Sequence, residues 1–134
     1  MNAVAVDTSI LLAIFKGEPK GGQWLERLHK SAETSTLLVS SVVLAELRSF
    51  FPHEAACSNA LRALEIRHSA LSEDAALLAG KIFRQYRSEG GPRRTILPDF
   101  LVAAHAATQA GALATDDRGY LRSYFPALKI LTLN

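Results

Sequence analysis

The chain has 134 residues, of which 49% are hydrophobic and 21% are charged, and this size and apolar content predict one domain over residues 1–134 that folds alone. The formal net charge of +2 is too small for overall charge to indicate nucleic-acid binding. A single cysteine, no signal-like start and no apolar run of membrane length predict a cytoplasmic protein without a disulfide framework or a membrane partner.

Short apolar segments alternate with segments of helical periodicity along the chain. Strands are predicted at 3–7, 36–40, 65–71, 112–115 and 129–133. Helices are predicted at 9–16, 20–33, 41–51, 53–64, 73–88, 98–110 and 117–123. This alternation predicts an α/β fold with a central, mostly parallel sheet, helices on both faces and right-handed crossovers.

Acids follow two of the predicted strands. Asp7 ends the first strand, "AVAVD", and Asp116 and Asp117 directly follow "ALAT". An acid in such a place is ordinarily part of a turn or the cap of the next helix. In parallel sheets, however, ligands gather at the carboxyl ends of the strands, so these acids are expected to point into one crevice.

Glu46 lies inside the predicted helix "SSVVLAELRSF". Helical spacing puts it between Val42 and Phe50, in the middle of the apolar face. Burying an unpaired carboxylate costs several kcal/mol, so a partner is expected. A salt bridge to an arginine lining the core and a functional role explain Glu46 equally well.

Asp99 follows Pro98 at the start of the predicted helix 98–110. An acid in the first helical turn complements the helix dipole, and taken alone Asp99 fits that interpretation slightly better. Helical projection nevertheless places it above Val102, Ala103 and Ala106, the small-residue side that packs on a sheet.

Together the acids predict a cation. Two carboxylates about 4 Å apart repel by roughly 4 kcal/mol at an effective dielectric constant of 20. No lysine or arginine lies on the helix faces that carry Glu46 or Asp99. A hard divalent ion, Mg²⁺ or Mn²⁺, supplies the missing charge, takes oxygen ligands and leaves positions open for a substrate phosphate.

Four segments, in order and spacing, resemble PIN-domain nucleases and in particular VapC-type toxins of toxin–antitoxin pairs: "VDTSILL", "VVLAELRSF", "LPDFLVAAHA" and "LATDDRGYLRSYFPALKIL". The resemblance covers nearly the whole chain. It implies a single PIN domain, with a three-layer α/β/α sandwich and metal-dependent endoribonuclease activity. It also implies a VapB-type antitoxin partner, an RNA substrate and a homodimer.

The resemblance also assigns residues. It implies that the catalytic acids are Asp7, Glu46, Asp99 and Asp117, and that the metal ligands are Asp7, Asp99, Asp117 and Asp116. Whether Asp116 or Asp117 ligates directly stays open. Ser9 and Thr115 match hydroxyl positions that support the acids.

Arginines near the predicted site are candidates for binding RNA phosphates. Arg93 and Arg94 precede Asp99 in "RQYRSEGGPRR", and Arg118 follows the last acids. Tyr86, in the same segment, suits base stacking. The alternative is a helix end with favourable cations and a glycine stop.

The remaining reactive side chains fit no other catalytic pattern. Cys57 is expected to be a small buried hydrophobe. The four histidines lack zinc-ligand spacing and are expected at the surface or locally hydrogen-bonded, with His105 facing away from the sheet-packing side of its helix.

Two other classes of function remain as alternatives. One is a Mg²⁺-dependent phosphoryl-transfer domain, a receiver or an aspartyl phosphatase, although the phosphatase pattern requires a second acid where Ser9 stands. The other is a non-catalytic PIN-like binding module. Labelling with a phosphoryl donor distinguishes the first, and a metal-dependent nuclease assay distinguishes the second.

Overall fold

The computed structural model describes residues 2–92, 95–116 and 123–133. Its strands are β1 (Ala3–Val6), β2 (Thr36–Ser40), β3 (Ile66–Ser69), β4 (Gly111–Ala114) and β5 (Lys129–Leu131). Its helices are α1 (Thr8–Phe15), α2 (Pro19–Ala32), α3 (Ser41–Phe50), α4 (Glu54–Ala63), α5 (Glu73–Ser88) and α6 (Leu97–Gln109). Most of the predicted helix at 117–123 lies outside the described ranges. Within them, no helix is both long and apolar enough to cross a bilayer.

The five strands form one parallel sheet in the order β3-β2-β1-β4-β5. The chain builds outward from β1 to β3 and then returns to place β4 on the other side of β1. Right-handed crossovers therefore put α1 to α4 on one face and α5 and α6 on the other. The predicted three-layer α/β/α sandwich is confirmed, and the strand order reverses between the carboxyl ends of β1 and β4, the place at which open α/β sheets bind their ligands.

The central position of β1 explains its composition. Val4, Ala5 and Val6 are all buried, because strands flank β1 on both edges and helices cover both faces. On α6, small side chains such as Ala103 and Ala106 are fully buried. The sheet thus holds the start of α1 and the start of α6 close to the crevice.

An aromatic cluster joins α5 and α6. The ring centroids of Tyr86 and Phe100 are 5.1 Å apart, and those of Tyr86 and Tyr124 are 5.4 Å apart. Tyr86 is buried, and its hydroxyl donates a hydrogen bond to the Pro92 carbonyl at 2.8 Å. The predicted stacking of an RNA base on Tyr86 is therefore wrong, because the ring is already packed in the protein. The predicted glycine stop is present at Gly90, which has a φ of +80° directly after α5.

His105 differs from its prediction. Its side chain is fully buried and lies against the backbone of Ser69. The expectation of a surface position is wrong because α6 is covered on more than one side. Its neighbours Ala104 and Ala106 are also fully buried. Burial is the main cause that lowers the pKa of the His105 imidazole below its usual value of 6.5.

We expect His105 to make the fold less stable as the pH falls below about 6.5. Above that pH the imidazole is neutral in both the folded and the unfolded chain. Below it, the unfolded chain binds a proton that the folded chain does not, so the free energy of unfolding decreases. The measurement is urea unfolding at about pH 7.5 and about pH 5.5 for the wild type and His105→Leu.

The wild type should lose more stability between these two pH values than His105→Leu loses. His29→Leu, which removes an exposed histidine of α2, is the matched control and should keep the wild-type loss. Equal losses in the wild type and in His105→Leu would show that His105 does not govern this pH dependence.

Candidate active site

Asp7 lies between the end of β1 and the start of α1. Its backbone N–H donates to the Ala114 carbonyl at 3.0 Å, which holds it beside the end of β4. Its Oδ1 accepts a hydrogen bond from the Thr8 N–H at 2.8 Å and so caps α1. The capping interpretation of this acid is correct, and the same geometry places its carboxylate at the crevice.

Thr115 fixes the other oxygen of that carboxylate. The Thr115 hydroxyl donates to Asp7 Oδ2 at 2.7 Å, and the Thr115 N–H donates to the Leu131 carbonyl at 3.2 Å. Thr115 itself is buried. Because each carboxylate oxygen has two lone pairs and receives one of these hydrogen bonds, both retain capacity for a further ligand.

Glu46 is exposed, and its predicted place in the middle of the buried face of α3 is wrong. The buried residues of this helix are Val43 and Leu47, whereas Phe50 is 42% exposed. The buried stripe is therefore rotated by about one residue, or about 100°, from the predicted one. Among the described residues Glu46 has no salt bridge, so the alternative of an arginine partner in the core finds no support there.

The hydroxyl of Thr8, a residue that no sequence motif identified, holds Glu46. The Thr8 hydroxyl donates to Glu46 Oε1 at 2.5 Å, while the Thr8 backbone donates to Asp7. Ser9, the predicted supporting hydroxyl, follows in the first turn of α1 and has no hydrogen-bond partner among the described residues. The sequence signal for Thr8 is a hydroxyl close to an acid at a strand end. Ser9 carries the same signal, so the sequence does not distinguish the two hydroxyls.

Asp99 lies in the first turn of α6 and is half-buried. Its Oδ2 accepts a hydrogen bond from the Ile96 N–H at 3.0 Å, which satisfies a backbone donor at the helix start. The helix-end interpretation is thus correct for one oxygen. The negative charge of Asp99 also raises the pKa of the Asp7 carboxyl.

The pKa of the Asp7 carboxyl is raised above its usual 3.8. Burial is the largest cause, and the negative charges of Glu46 and Asp99 raise it further, while hydrogen bonds from Thr115 and Thr8 act in the opposite direction. Asp7, Glu46 and Asp99 form what we call the acidic crevice. Within the described part of the chain, none of the three has an ion-pair partner.

The acidic crevice offers the oxygen donors that Mg²⁺ and Mn²⁺ prefer. Among the described residues, no group of three or more His, Cys, Asp or Glu side chains lies close enough together to hold a metal ion by itself. Mg²⁺ needs no closed cage, because it keeps several waters and is commonly held by one or two carboxylates together with substrate phosphates. The donor chemistry therefore fits a hydrated divalent ion.

Four predicted site residues lie outside the described ranges: Asp117, Arg93, Arg94 and Arg118. Asp116, half-buried, follows Thr115 at the end of one described range. The roles of these residues stay predictions, as does the choice between Asp116 and Asp117 as a direct ligand.

The family model of the PIN domain matches residues 4–126. The chain belongs to the PIN domain family. This finding confirms the family resemblance that the sequence segments carry. No curated protein sequence matches this PIN domain at a significant level.

Solved structures similar to this PIN domain come from toxin–antitoxin systems. VapBC2 of Rickettsia felis, bound to a promoter DNA fragment, is 23% identical with a TM-score of 0.73, covering 97% of this chain and 98% of that chain. DNA-bound VapBC of Salmonella typhimurium is 21% identical with a TM-score of 0.71, covering 100% of both chains. VapC20 of Mycobacterium tuberculosis, a Sarcin-Ricin loop cleaving toxin, is 20% identical with a TM-score of 0.62, covering 90% of this chain and 94% of that chain. At these identities the likeness establishes the shared fold.

Proposed function

We propose that this PIN domain is a metal-dependent endoribonuclease that hydrolyses phosphodiester bonds in RNA with Mg²⁺ or Mn²⁺. The observation that carries the proposal is the acidic crevice: Glu46 of α3, which shares Thr8 with Asp7, and Asp99 of α6 both lie near enough to Asp7 to raise its pKa, and no cation of the described chain balances them. A divalent ion and the RNA phosphate it attracts supply that balance.

Each acid has a distinct part in the proposed reaction. When bound, the divalent ion polarises the scissile phosphate and stabilises the leaving oxygen. Asp7 and Asp99 hold the ion, with Asp116 or Asp117 from the segment after β4. Glu46, with Oε1 fixed by Thr8, keeps Oε2 to accept a proton from the attacking water.

We further propose that the nuclease is the toxin of a toxin–antitoxin pair, restrained by a VapB-type antitoxin, and that it forms a homodimer. The names of the similar VapBC structures support the toxin–antitoxin part of this proposal. An antitoxin restrains such a site if it places a basic side chain among the acids. A guanidinium group suits this role because it binds carboxylates through two parallel hydrogen bonds.

The test is RNA cleavage by the purified protein. We expect cleavage with Mg²⁺ or Mn²⁺, loss of cleavage on chelation of the ion, and recovery when the ion is added back, because the carboxylates alone repel an RNA phosphate. The measurement is the rate of fragment formation on a labelled RNA at several ion concentrations.

A parallel reaction with Ca²⁺, an oxygen-liganded ion of looser geometry, separates catalysis from mere charge neutralisation. Intact RNA under every ionic condition would contradict the proposal and favour a binding module. Covalent labelling of the protein by a phosphoryl donor would instead favour a phosphoryl-transfer domain.

A further inference from the structure

Thr8 contacts two acids of the crevice at once. Its backbone N–H donates to Asp7 Oδ1 at 2.8 Å, and its hydroxyl donates to Glu46 Oε1 at 2.5 Å. Asp7 and Glu46 come from different elements, the β1–α1 junction and α3. Thr8 therefore links the two carboxylates through one residue.

We propose that Thr8 is a positioning residue: its hydroxyl holds the Glu46 carboxylate beside Asp7, where the charge of Glu46 adds to the attraction of the acids for a divalent ion and its free oxygen can accept a proton. The inference rests on the proposed metal-dependent function and adds a residue to it. Thr8 does not act on the RNA itself. It acts through the two acids that it holds.

The need for such a link follows from the surroundings of Glu46. This side chain is exposed, it has several rotatable bonds, and the negative charge of Asp7 repels it. Without a restraint, solvent and repulsion draw it away from the crevice. The Thr8 hydroxyl offers a fixed donor, since a β-branched side chain in a helix has few χ1 rotamers.

The geometry leaves the acids available for a ligand. Thr8 occupies only Oε1 of Glu46, so Oε2 stays open. Ser9, one residue further along α1, points about 100° away around the helix axis. This rotation explains why one hydroxyl of the "DTS" segment reaches Glu46 and the other has no partner among the described residues.

The experiment compares Thr8→Val with Thr8→Ser. Valine has the shape of threonine without the hydroxyl and keeps the backbone N–H that caps α1, so the fold is retained. Serine restores the hydroxyl. Two quantities are measured: the affinity for Mn²⁺ in the absence of RNA, by calorimetry, and kcat and KM for RNA cleavage with Mg²⁺.

We expect Thr8→Val to weaken Mn²⁺ binding by about tenfold and to lower kcat by about tenfold or more, with little change in KM. Thr8→Ser should recover both values to within a factor of about three of the wild type. Thr108→Val, which removes an exposed hydroxyl in the same way on α6, is the matched control and should change neither. If Thr8→Val does not fold, Thr8→Ala takes its place and is compared with Thr8→Ser in the same way.

The inference is overturned if the hydroxyl-free variants bind Mn²⁺ as tightly as the wild type, or if Ser9→Ala shows the losses instead. Its failure is distinct from failure of the proposed function. A wild type that binds Mn²⁺ but does not cleave RNA removes the nuclease proposal, and the Mn²⁺ affinities of the variants still decide the role of Thr8.

Discussion

Replacing Asp7 by Asn is expected to abolish RNA cleavage and, at the same time, to make the folded protein more stable at neutral pH. The pKa of Asp7 is raised in the folded chain, mainly by burial and further by Glu46 and Asp99. The protonated form therefore favours folding, an effect that is full below pH 3.8 and is lost as the pH rises through the raised pKa. Asparagine carries no charge, so it removes the cost of holding the ionised group in the crevice.

We expect Asp7→Asn to gain on the order of 1 kcal/mol in unfolding free energy at neutral pH and to lose about 100-fold or more in cleavage rate. The stability is measured by urea unfolding and the activity on labelled RNA. Asp74→Asn, an exposed acid in the first turn of α5, is the control. It should leave cleavage unchanged and lower stability by a few tenths of a kcal/mol, because it removes a favourable charge at a helix start.

Comparing the wild type with Asp7→Asn also tests the toxin assignment in cells. Wild-type protein expressed alone should stop growth, Asp7→Asn should not, and co-expression of the protein encoded next to it should protect the wild type. Asp7→Asn protein that cleaves RNA at the wild-type rate would remove Asp7 from the catalytic set. Unaffected growth with well-expressed wild-type protein would leave the PIN domain without the toxin role.

Gly21→Ala is expected to destabilise the fold by about 1–3 kcal/mol or more. Gly21 is buried in the first turn of α2, against the end of α1. A Cβ there would lie 2.3 Å from the Ala13 carbonyl oxygen and 2.8 Å from the Ala13 carbonyl carbon. Both are backbone atoms, and that oxygen also accepts the Glu18 N–H at 2.9 Å, so the end of α1 would have to move.

Gly22→Ala is the matched control, one residue away in the same helix. A Cβ at Gly22 meets nothing within 4 Å, and alanine restricts the unfolded chain. We therefore expect Gly22→Ala to stabilise the protein by about 0.5–1 kcal/mol, the opposite sign from Gly21→Ala. Urea unfolding of both variants measures the difference. Equal stabilities would contradict the close approach of α1 and α2.

The strands could be predicted because the sheet is parallel and covered on both faces. Such strands need continuous apolar runs, and "AVAV" and "TLLVS" have few alternative structures in a chain of this length. The meeting of β1 and β4 at a crevice follows from the same rule. The order of the five strands in the sheet depends on contacts between distant segments, which no local pattern contains.

The exposure of Glu46 could not be predicted from its own helix. Val42, Val43 and Leu44 are all apolar, so periodicity alone allows the buried stripe to pass through more than one of them. Packing against the sheet selects Val43 and Leu47, and Glu46 turns outward. Its hydrogen bond with Thr8, the neighbour of Asp7, joins residues 38 positions apart, which no local pattern contains.

The burial of His105 was missed for a related reason. Projection onto a helical wheel assumes one buried and one exposed face. The middle of α6 is enclosed on more than one side, so that assumption fails for His105. Gln109, one turn further along the helix, also turns inward and donates to the Ala70 carbonyl at 2.8 Å.

The hydrogen bond between Asp7 and Thr115 joins residues 108 positions apart. A ribosome that adds about 5–20 residues per second needs roughly 5–22 seconds to synthesise the segment between them. Throughout that interval the nascent chain lacks the donor that orients its first carboxylate, and β1 lacks the neighbour against which β4 completes the crevice. The proposed nuclease therefore becomes competent only after β4 and Thr115 have been synthesised.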